Sequence, residues 1–373
     1  MTQAPLTTLR TGGSLYDWQH PLIQEDLGII ANQGLPWQAL ANRHIVVSGA
    51  TGLWGRFILY SLLYLNDHFR LAMCVSVLGR DLERLKWIFN AIAKRPDVCF
   101  FEHDFASQHP VRLPQNAQIV IHAASQAGPA FYGVDPIGTA LPNTTGLVHL
   151  LDWSVKSGVE KFLFVSSSEV YGQLRGDQIP TNETQLGVMD PATVRACYGE
   201  SKRMGETLCM GWHQQKQLNT YIVRPFHTYG PGLNLQDGRV FADFIKAIMA
   251  GEPLTIRGDG SPTRAFCYIA DAVAALWTVL LKGTPATAYN IGAPTETSIL
   301  QLANQLIDHA FPKRHLSLRV GESPVQSVGH YLPSVVSRSV PDVSKLMALG
   351  WSPWTDIKSG FQRTVTILEE AQQ

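Results

Sequence analysis

In the stretch RACYGESKR, residues 195–203, Tyr198 and Lys202 stand four apart. Helical geometry would put both on one face. An ammonium beside a phenol favours phenolate and draws the tyrosine pKa down from ~10. A phenol tuned this way takes the proton of a hydroxyl while hydride leaves the same carbon. A second chemical stretch, SSSEVYG at 166–172, follows the apolar run KFLFV and supplies Ser167, Ser168 and Glu169. Three hydroxyls and a carboxylate at the end of a buried strand call for a ligand-facing role. The third stretch is Gly49-Ala50-Thr51-Gly52-Leu53-Trp54-Gly55, a G-x-x-G-x-x-G turn between the run HIVVS and a helical segment. Its glycines permit a tight turn and close backbone approach, and the helix start offers unpaired N–H groups to a pyrophosphate.

These residues need a scaffold, and the order of elements supplies one. HIVVSG (44–49), LAMCVSVLG, VCFFEHDF, AQIVIHAA and KFLFVSSS read as buried strands. WGRFILYSLLYLN, DLERLKWIFNAIAK and PNTTGLVHLLDWSVKSG between them read as helices. Strand and helix alternate, which points to an α/β fold of βαβ units on a parallel sheet. The domain reading is a 1–42 extension of little period, a mainly nucleotide-binding part over 43–230, and a smaller interleaved lobe over 231–373. Gly/Asp-rich loops such as IRGDGSPTRAF mark that lobe.

Composition limits the partners. The 373 residues carry 45% hydrophobic and 16% charged residues, enough for a sizeable core. Lys+Arg and Asp+Glu are both 30, so no basic face points to nucleic acid. Five scattered cysteines without a C-x-x-C pair fit a reducing compartment better than a disulfide framework or zinc site. The twelve histidines show no ligand spacing, and no metal is expected. His122 is expected to pack beneath a ligand. With no secretion signal and no membrane-spanning stretch, the expected setting is the cytoplasm.

The second strand of a dinucleotide-binding sheet usually ends in an acid for the adenosine ribose. Here VSVLGRD places Gly79 and Arg80 there. An arginine pairs with a 2′-phosphate, so both NADP and NAD stay open, as does a plain surface arginine beside Asp81. Asp104 and Phe105 are candidates for the adenine edge and face, with a plain turn aspartate as the alternative.

Taken together, these motifs resemble the extended short-chain dehydrogenase/reductase family and its nucleotide-sugar branch. Further matching pieces are HAAS (122–125), NTTG (143–146), VRPFHTYGPG (223–232), GDGSPTRAFCYIADAVAAL (258–276) and RSVPDVSKLMALGW (338–351). The resemblance implies a Rossmann-type doubly wound sheet, a bound NAD or NADP, a nucleotide-sugar substrate and a homodimer. It places Ala123 and Ala124 beside the cofactor, together with Tyr198 and Lys202. It assigns Ser125, Asn143, Arg195, Arg264 and Arg338 to the substrate side, with a helix N-cap as the alternative for Asn143. Ser167 would bind the sugar 4-hydroxyl beside Tyr198. The Ser168-Glu169 pair, RACYGESKR and Arg338 are closest in pattern to UDP-glucuronate decarboxylases. A 4,6-dehydratase, an epimerase, an NADPH-dependent reductase and a catalytically silent nucleotide-binding protein remain alternatives. Gly79-Arg80, Pro142 and the interior of Y-G-E-S-K depart from the decarboxylase pattern.

Overall fold

β-Branched runs with apolar side chains on both faces build the centre of the computed structural model, which describes residues 17–107, 109–236, 238–321 and 336–372. The strands are β1 (His44–Ser48), β2 (Cys74–Gly79), β3 (Val98–Glu102), β4 (Ile119–His122), β5 (Lys161–Val165), β6 (Asn219–Pro225) and β7 (Thr287–Ile291). They form one sheet in the order β7-β6-β5-β4-β1-β2-β3, and all six pairings are parallel. Such strands are buried on both faces, which explains their near-continuous apolar character. The alternation predicts the parallel sheet, and its doubly wound, Rossmann-type form is the one the family resemblance implies. The strand order reverses at β1, between β2 and β4, and ligands of such sheets bind beyond the C-terminal strand ends at that point.

Helices α1 (Pro21–Ala31), α2 (Leu53–Phe69), α3 (Leu82–Ile88), α4 (Thr145–Lys156), α5 (Ala196–Lys216), α6 (Ile269–Lys282) and α7 (Ile357–Glu370) flank the sheet or pack beside it. In α6 every residue from Ile269 to Leu280 is buried, as expected of a helix apolar on all sides. The smaller lobe is interleaved with the sheet. Thr263–Arg264 pairs with Thr297–Ser298 and with Arg338–Ser339, while β7 between them in sequence returns to the sheet edge. Among the described residues no helix is long and apolar enough to cross a membrane.

Two elements differ from the sequence reading. The helix expected over 81–94 stops at Ile88, because Phe89 and Ile92 turn inward and are 2% and 1% exposed. The N-terminal segment is not periodless: Ile23, Leu27 and Ile30 form a helical stripe in the same core as the sheet. That stripe is easily overlooked because it carries a buried acid. Asp26 accepts from Tyr268 Oη at 2.7 Å and pairs with Arg363 Nη2 at 2.8 Å, tying α1 to α6 and α7.

Burial pushes the Asp26 carboxyl up to about 7, against the lowering effect of Arg363 and Tyr268. A raised carboxyl means the folded state holds a proton that the unfolded chain releases near 3.8. Its stabilisation is complete below that value and is lost as pH rises through about 7. Asp26→Asn cannot titrate. The melting-temperature advantage of the wild type over this variant should therefore shrink steadily between pH 4 and 7 in thermal scans; a pH-independent difference would show that the carboxyl stays ionised.

Candidate functional site

The glycine turn leaves the end of β1 with Gly49 at φ +76°, in the left-handed region. A Cβ on Gly49 would lie 2.6 Å from the Ala123 carbonyl and from Ala124 N. A Cβ on Gly55 would run into the Gly49 carbonyl oxygen. The loop, α2 and the end of β4 thus meet at backbone contact. Ser48 Oγ fixes that junction, accepting from Ala123 N at 3.2 Å and Ala124 N at 3.3 Å and bonding His122 Nδ1 at 2.8 Å. His122 is fully buried, its other nitrogen lies 3.0 Å from the Pro142 carbonyl, and burial pushes it down to about 3. Gly52 caps α2 without a side chain, and Thr51 and Gly52 are exposed beside half-buried Leu53 and Trp54. A side-chain-free cradle at a helix start fits a dinucleotide pyrophosphate.

Tyr198 and Lys202 lie one turn apart on α5, and both are buried, at 5% and 2% exposure. Lys202 Nζ donates to the Val165 carbonyl at 2.7 Å, stands 4.7 Å from the Phe164 ring centroid and 5.8 Å from that of Tyr198. Tyr198 is hydrogen-bonded to Ser167 and stacks on Tyr132 with centroids 5.2 Å apart. The phenol is not lowered as the spacing suggests. Burial raises it to about 12, against the Ser167 bond, and burial drops Lys202 to about 7 despite Glu206. The resting pair is a protonated phenol beside an ammonium that releases its proton near neutrality.

The three serines after β5 divide their tasks. Ser166 Oγ donates to Glu206 Oε1 at 2.5 Å. Ser167 Oγ accepts from Glu169 N at 3.2 Å while bonding Tyr198. Ser168 and Glu169 face a cleft of about 280 Å³. Glu169 pairs through both oxygens with Arg195 Nη2, at 3.1 and 3.0 Å. The cleft lining holds five arginines, Arg195, Arg239, Arg257, Arg264 and Arg338, against the two acids Glu169 and Asp243, so it suits a polyanion. Arg338 is gripped by both oxygens of Glu296, at 2.7 and 2.8 Å, which draws that carboxyl down to about 2. Arg264 donates to the carbonyls of Thr263, Val336 and Ser337.

Arg195, Arg264, Arg338, Ser168 and Glu169 therefore share one cleft. Asn143 and Ser125 are joined to each other at 3.1 Å. Asn143 is not a helix cap: Thr144 holds that place at α4, and Asn143 Nδ2 also donates to Thr139 O and Ser201 Oγ. Its Oδ1 is buried without a partner among the described residues. Arg80 is exposed at the end of β2. The adenine assignment of Phe105 needs correcting. Its ring is 3% exposed and packs edge-on to His103 and His122, beneath the surface. Asp104 spends one carboxylate oxygen on its own turn, accepting from Ala106 N at 3.0 Å. Sequence reasoning missed Glu206 and Arg224, whose pairing at 2.6 Å braces the site. Glu206 follows Lys202 by four residues, so continuing the helical face would have found it.

Residues 45–292 match the family model described as the NAD dependent epimerase/dehydratase family. The chain is 31% identical to UDP-glucuronic acid decarboxylase 6 of Arabidopsis thaliana, over 86% of this chain and 87% of that protein. It is also 31% identical to UDP-glucuronic acid decarboxylase 1 of Danio rerio, over 87% of this chain and 72% of that protein. Among solved structures, the UDP-glucuronic acid 4-epimerase of Bacillus cereus, in complex with UDP-glucuronic acid and NAD, aligns with a TM-score of 0.73. That alignment covers 88% of this chain and 99% of the epimerase at 25% identity.

The contact between Gly55 and Gly49 leaves no room for a methyl group. Gly55→Ala should lower the affinity for NAD(P)H at least ~10-fold and destabilise the fold by about 1–3 kcal/mol. Calorimetric titration and urea unfolding measure the two effects; unchanged nucleotide affinity would place the pyrophosphate elsewhere.

Proposed function

From its membership of the NAD dependent epimerase/dehydratase family, to which this chain belongs, we propose that it decarboxylates a UDP-hexuronic acid, with UDP-glucuronate as substrate and UDP-xylose as product. The chain is an NAD(P)-dependent enzyme of nucleotide-sugar chemistry. The finer reading is carried by one observation: the Glu169–Arg195 ion pair lines an arginine-rich cleft and reaches Tyr198 through the Tyr132 ring. A nucleoside diphosphate needs fixed cations, supplied by Arg264 and Arg338. A sugar carboxylate needs one more at the reacting end, supplied by Arg195.

The turn Gly49–Gly55 would hold a nicotinamide dinucleotide, which would supply reversible hydride acceptance for C4 of the sugar. The remaining tasks fall to the chain. Tyr198, held by Ser167, acts as the phenolate: its own proton first goes to solvent, and it then takes the 4-hydroxyl proton as hydride departs. Lys202 lies behind the phenol and supplies positive charge as the proton moves. With C4 oxidised, the C5–C6 bond breaks, its electron pair enters the enolate and CO2 leaves. A proton from solvent, relayed through Glu169, then reaches C5, and Arg195 keeps the carboxylate and Glu169 in register. Arg195 also stacks over the Tyr132 ring at 4.9 Å, and that ring stacks on Tyr198, so acid, cation and phenol form one packed unit.

Incubated with UDP-glucuronate labelled at C6, the purified protein should release labelled CO2 and leave a UDP-pentose. Recovery of label in a UDP-hexuronic acid epimer would replace decarboxylation with epimerisation. Tyr198→Phe should lower turnover by about 10²–10⁴-fold, as loss of a general base does, with substrate affinity little changed.

A further inference from the structure

The end of β2 decides how the adenosine ribose is held, and here it has an unusual makeup. We propose that the dinucleotide this chain holds is the 2′-phosphorylated form, and that Arg80 binds the 2′-phosphate. The proposal rests on the reading that the glycine turn carries the cofactor.

The two strand ends are neighbours. β1 and β2 run parallel with Ser48 opposite Leu78, and Gly49 N–H lies 3.4 Å from the Leu78 carbonyl. The chain therefore leaves β2 at Gly79-Arg80 directly beside the glycine cradle. An acid at the strand end would bind the ribose hydroxyls and repel a 2′-phosphate. Gly79 provides none, and the packing opposes adding one. A Cβ at Gly79 would lie 2.9 Å from Leu85 Cδ1, and Leu85 is buried in the core at 1% exposure.

Nearby acids have other tasks. Asp81 Oδ1 accepts from Arg84 N at 2.9 Å and caps α3. Asp104 Oδ1 closes its own turn on Ala106 N. Glu83 holds Lys86 at 3.1 Å. Glu102, opposite Gly79 at the end of β3, is an exposed acid that would take ribose hydroxyls if the phosphate is absent. Against it stand two exposed arginines, Arg80 and Arg84, four residues apart. Arg80 has no hydrogen bond or ion pair among the described residues. Its fork of donors matches a phosphate dianion, whereas neutral hydroxyls would leave its charge unmatched.

The test compares adenosine 2′,5′-bisphosphate with AMP, which differ only by the 2′-phosphate, in calorimetric titrations of the full chain. A charge-assisted contact of this kind predicts about tenfold or greater preference for the bisphosphate. Arg80→Ala should bring the two ligands to similar affinity while leaving AMP binding unchanged; the side chain is exposed, so folding is not at issue. The nucleotide released on denaturing the purified wild type should be NADP(H) by mass spectrometry. Equal or tighter AMP binding, a preference that survives Arg80→Ala, or release of NAD(H) alone overturns the proposal and leaves the cofactor site in place. Failure of both ligands and both dinucleotides to bind overturns the cofactor reading as well.

Discussion

A lysine buried to 2% exposure is the constraint from which the site's geometry follows. Removing an ammonium from water is costly unless its charge and its donors find partners. Lys202 finds a carbonyl at Val165, the face of Phe164 and the opposing charge of Glu206. The first two belong to the C-terminal end of β5, so α5 has to cross the sheet at that point. Two glycines make the approach feasible. A Cβ on Gly205 would lie 2.6 Å from Phe164 Cζ and 3.0 Å from the Asn143 carbonyl, and one on Gly199 would lie 2.6 Å from Met189 Cε. With the helix seated at backbone distance, Tyr198 has no freedom to sit anywhere but over Ser167.

The same charge reaches the second lobe. Glu206 is bound by Ser166 and by Arg224, and the Glu206–Arg224 pair is largely buried, at 12% and 13% side-chain exposure. Removing one partner of such a pair costs roughly 3–5 kcal/mol, because the other charge is stranded. Arg224 Nη1 also donates to Tyr171 Oη at 3.0 Å, which donates to Asn290 Oδ1 at 2.6 Å. Asn290 Nδ2 reaches the carbonyls of Thr181 and Asp342. Thr181 in turn exchanges backbone bonds with Val340 and Asp342, just beyond Arg338. One continuous polar chain therefore runs from Glu206, whose charge acts on Lys202, to the strand that carries an arginine of the cleft. Each member fixes the next, so Arg338 and the Tyr198–Lys202 face of α5 share a common frame.

What the sequence disclosed was local, and what it hid was set by distant packing. The glycine turn, the Tyr198–Lys202 face and the strand ends are written in consecutive residues, so pattern and spacing located them. The direction of the Tyr198 shift was not available from a four-residue spacing. It depends on α5 closing over β5, and burial then outweighs the bond to Ser167. Phe105 reads as a loop aromatic beside an exposed aspartate. Its burial comes from α4, where Gly146 lets the helix close on it: a Cβ there would lie 2.9 Å from Phe105 Cβ. Asp26 carried no local sign of burial, because its partners Tyr268 and Arg363 lie more than two hundred residues away in sequence.

The manner in which the arginines are held bears on selectivity. Ordering a flexible side chain on binding costs about 0.5–1.5 kcal/mol. Here the ordering is complete beforehand: Glu296 fixes Arg338 by two bonds, three carbonyls fix Arg264, and Glu169 fixes Arg195. The means of fixation are not equivalent. Carboxylates hold Arg338 and Arg195, and carbonyl bonds orient the guanidinium of Arg264. A cleft of loose, uncompensated cations would attract any polyanion. One whose cations are rigid and partly balanced gains only when a ligand's anions match their positions. On the proposed function, selectivity comes from the spacing between a diphosphate and a sugar substituent.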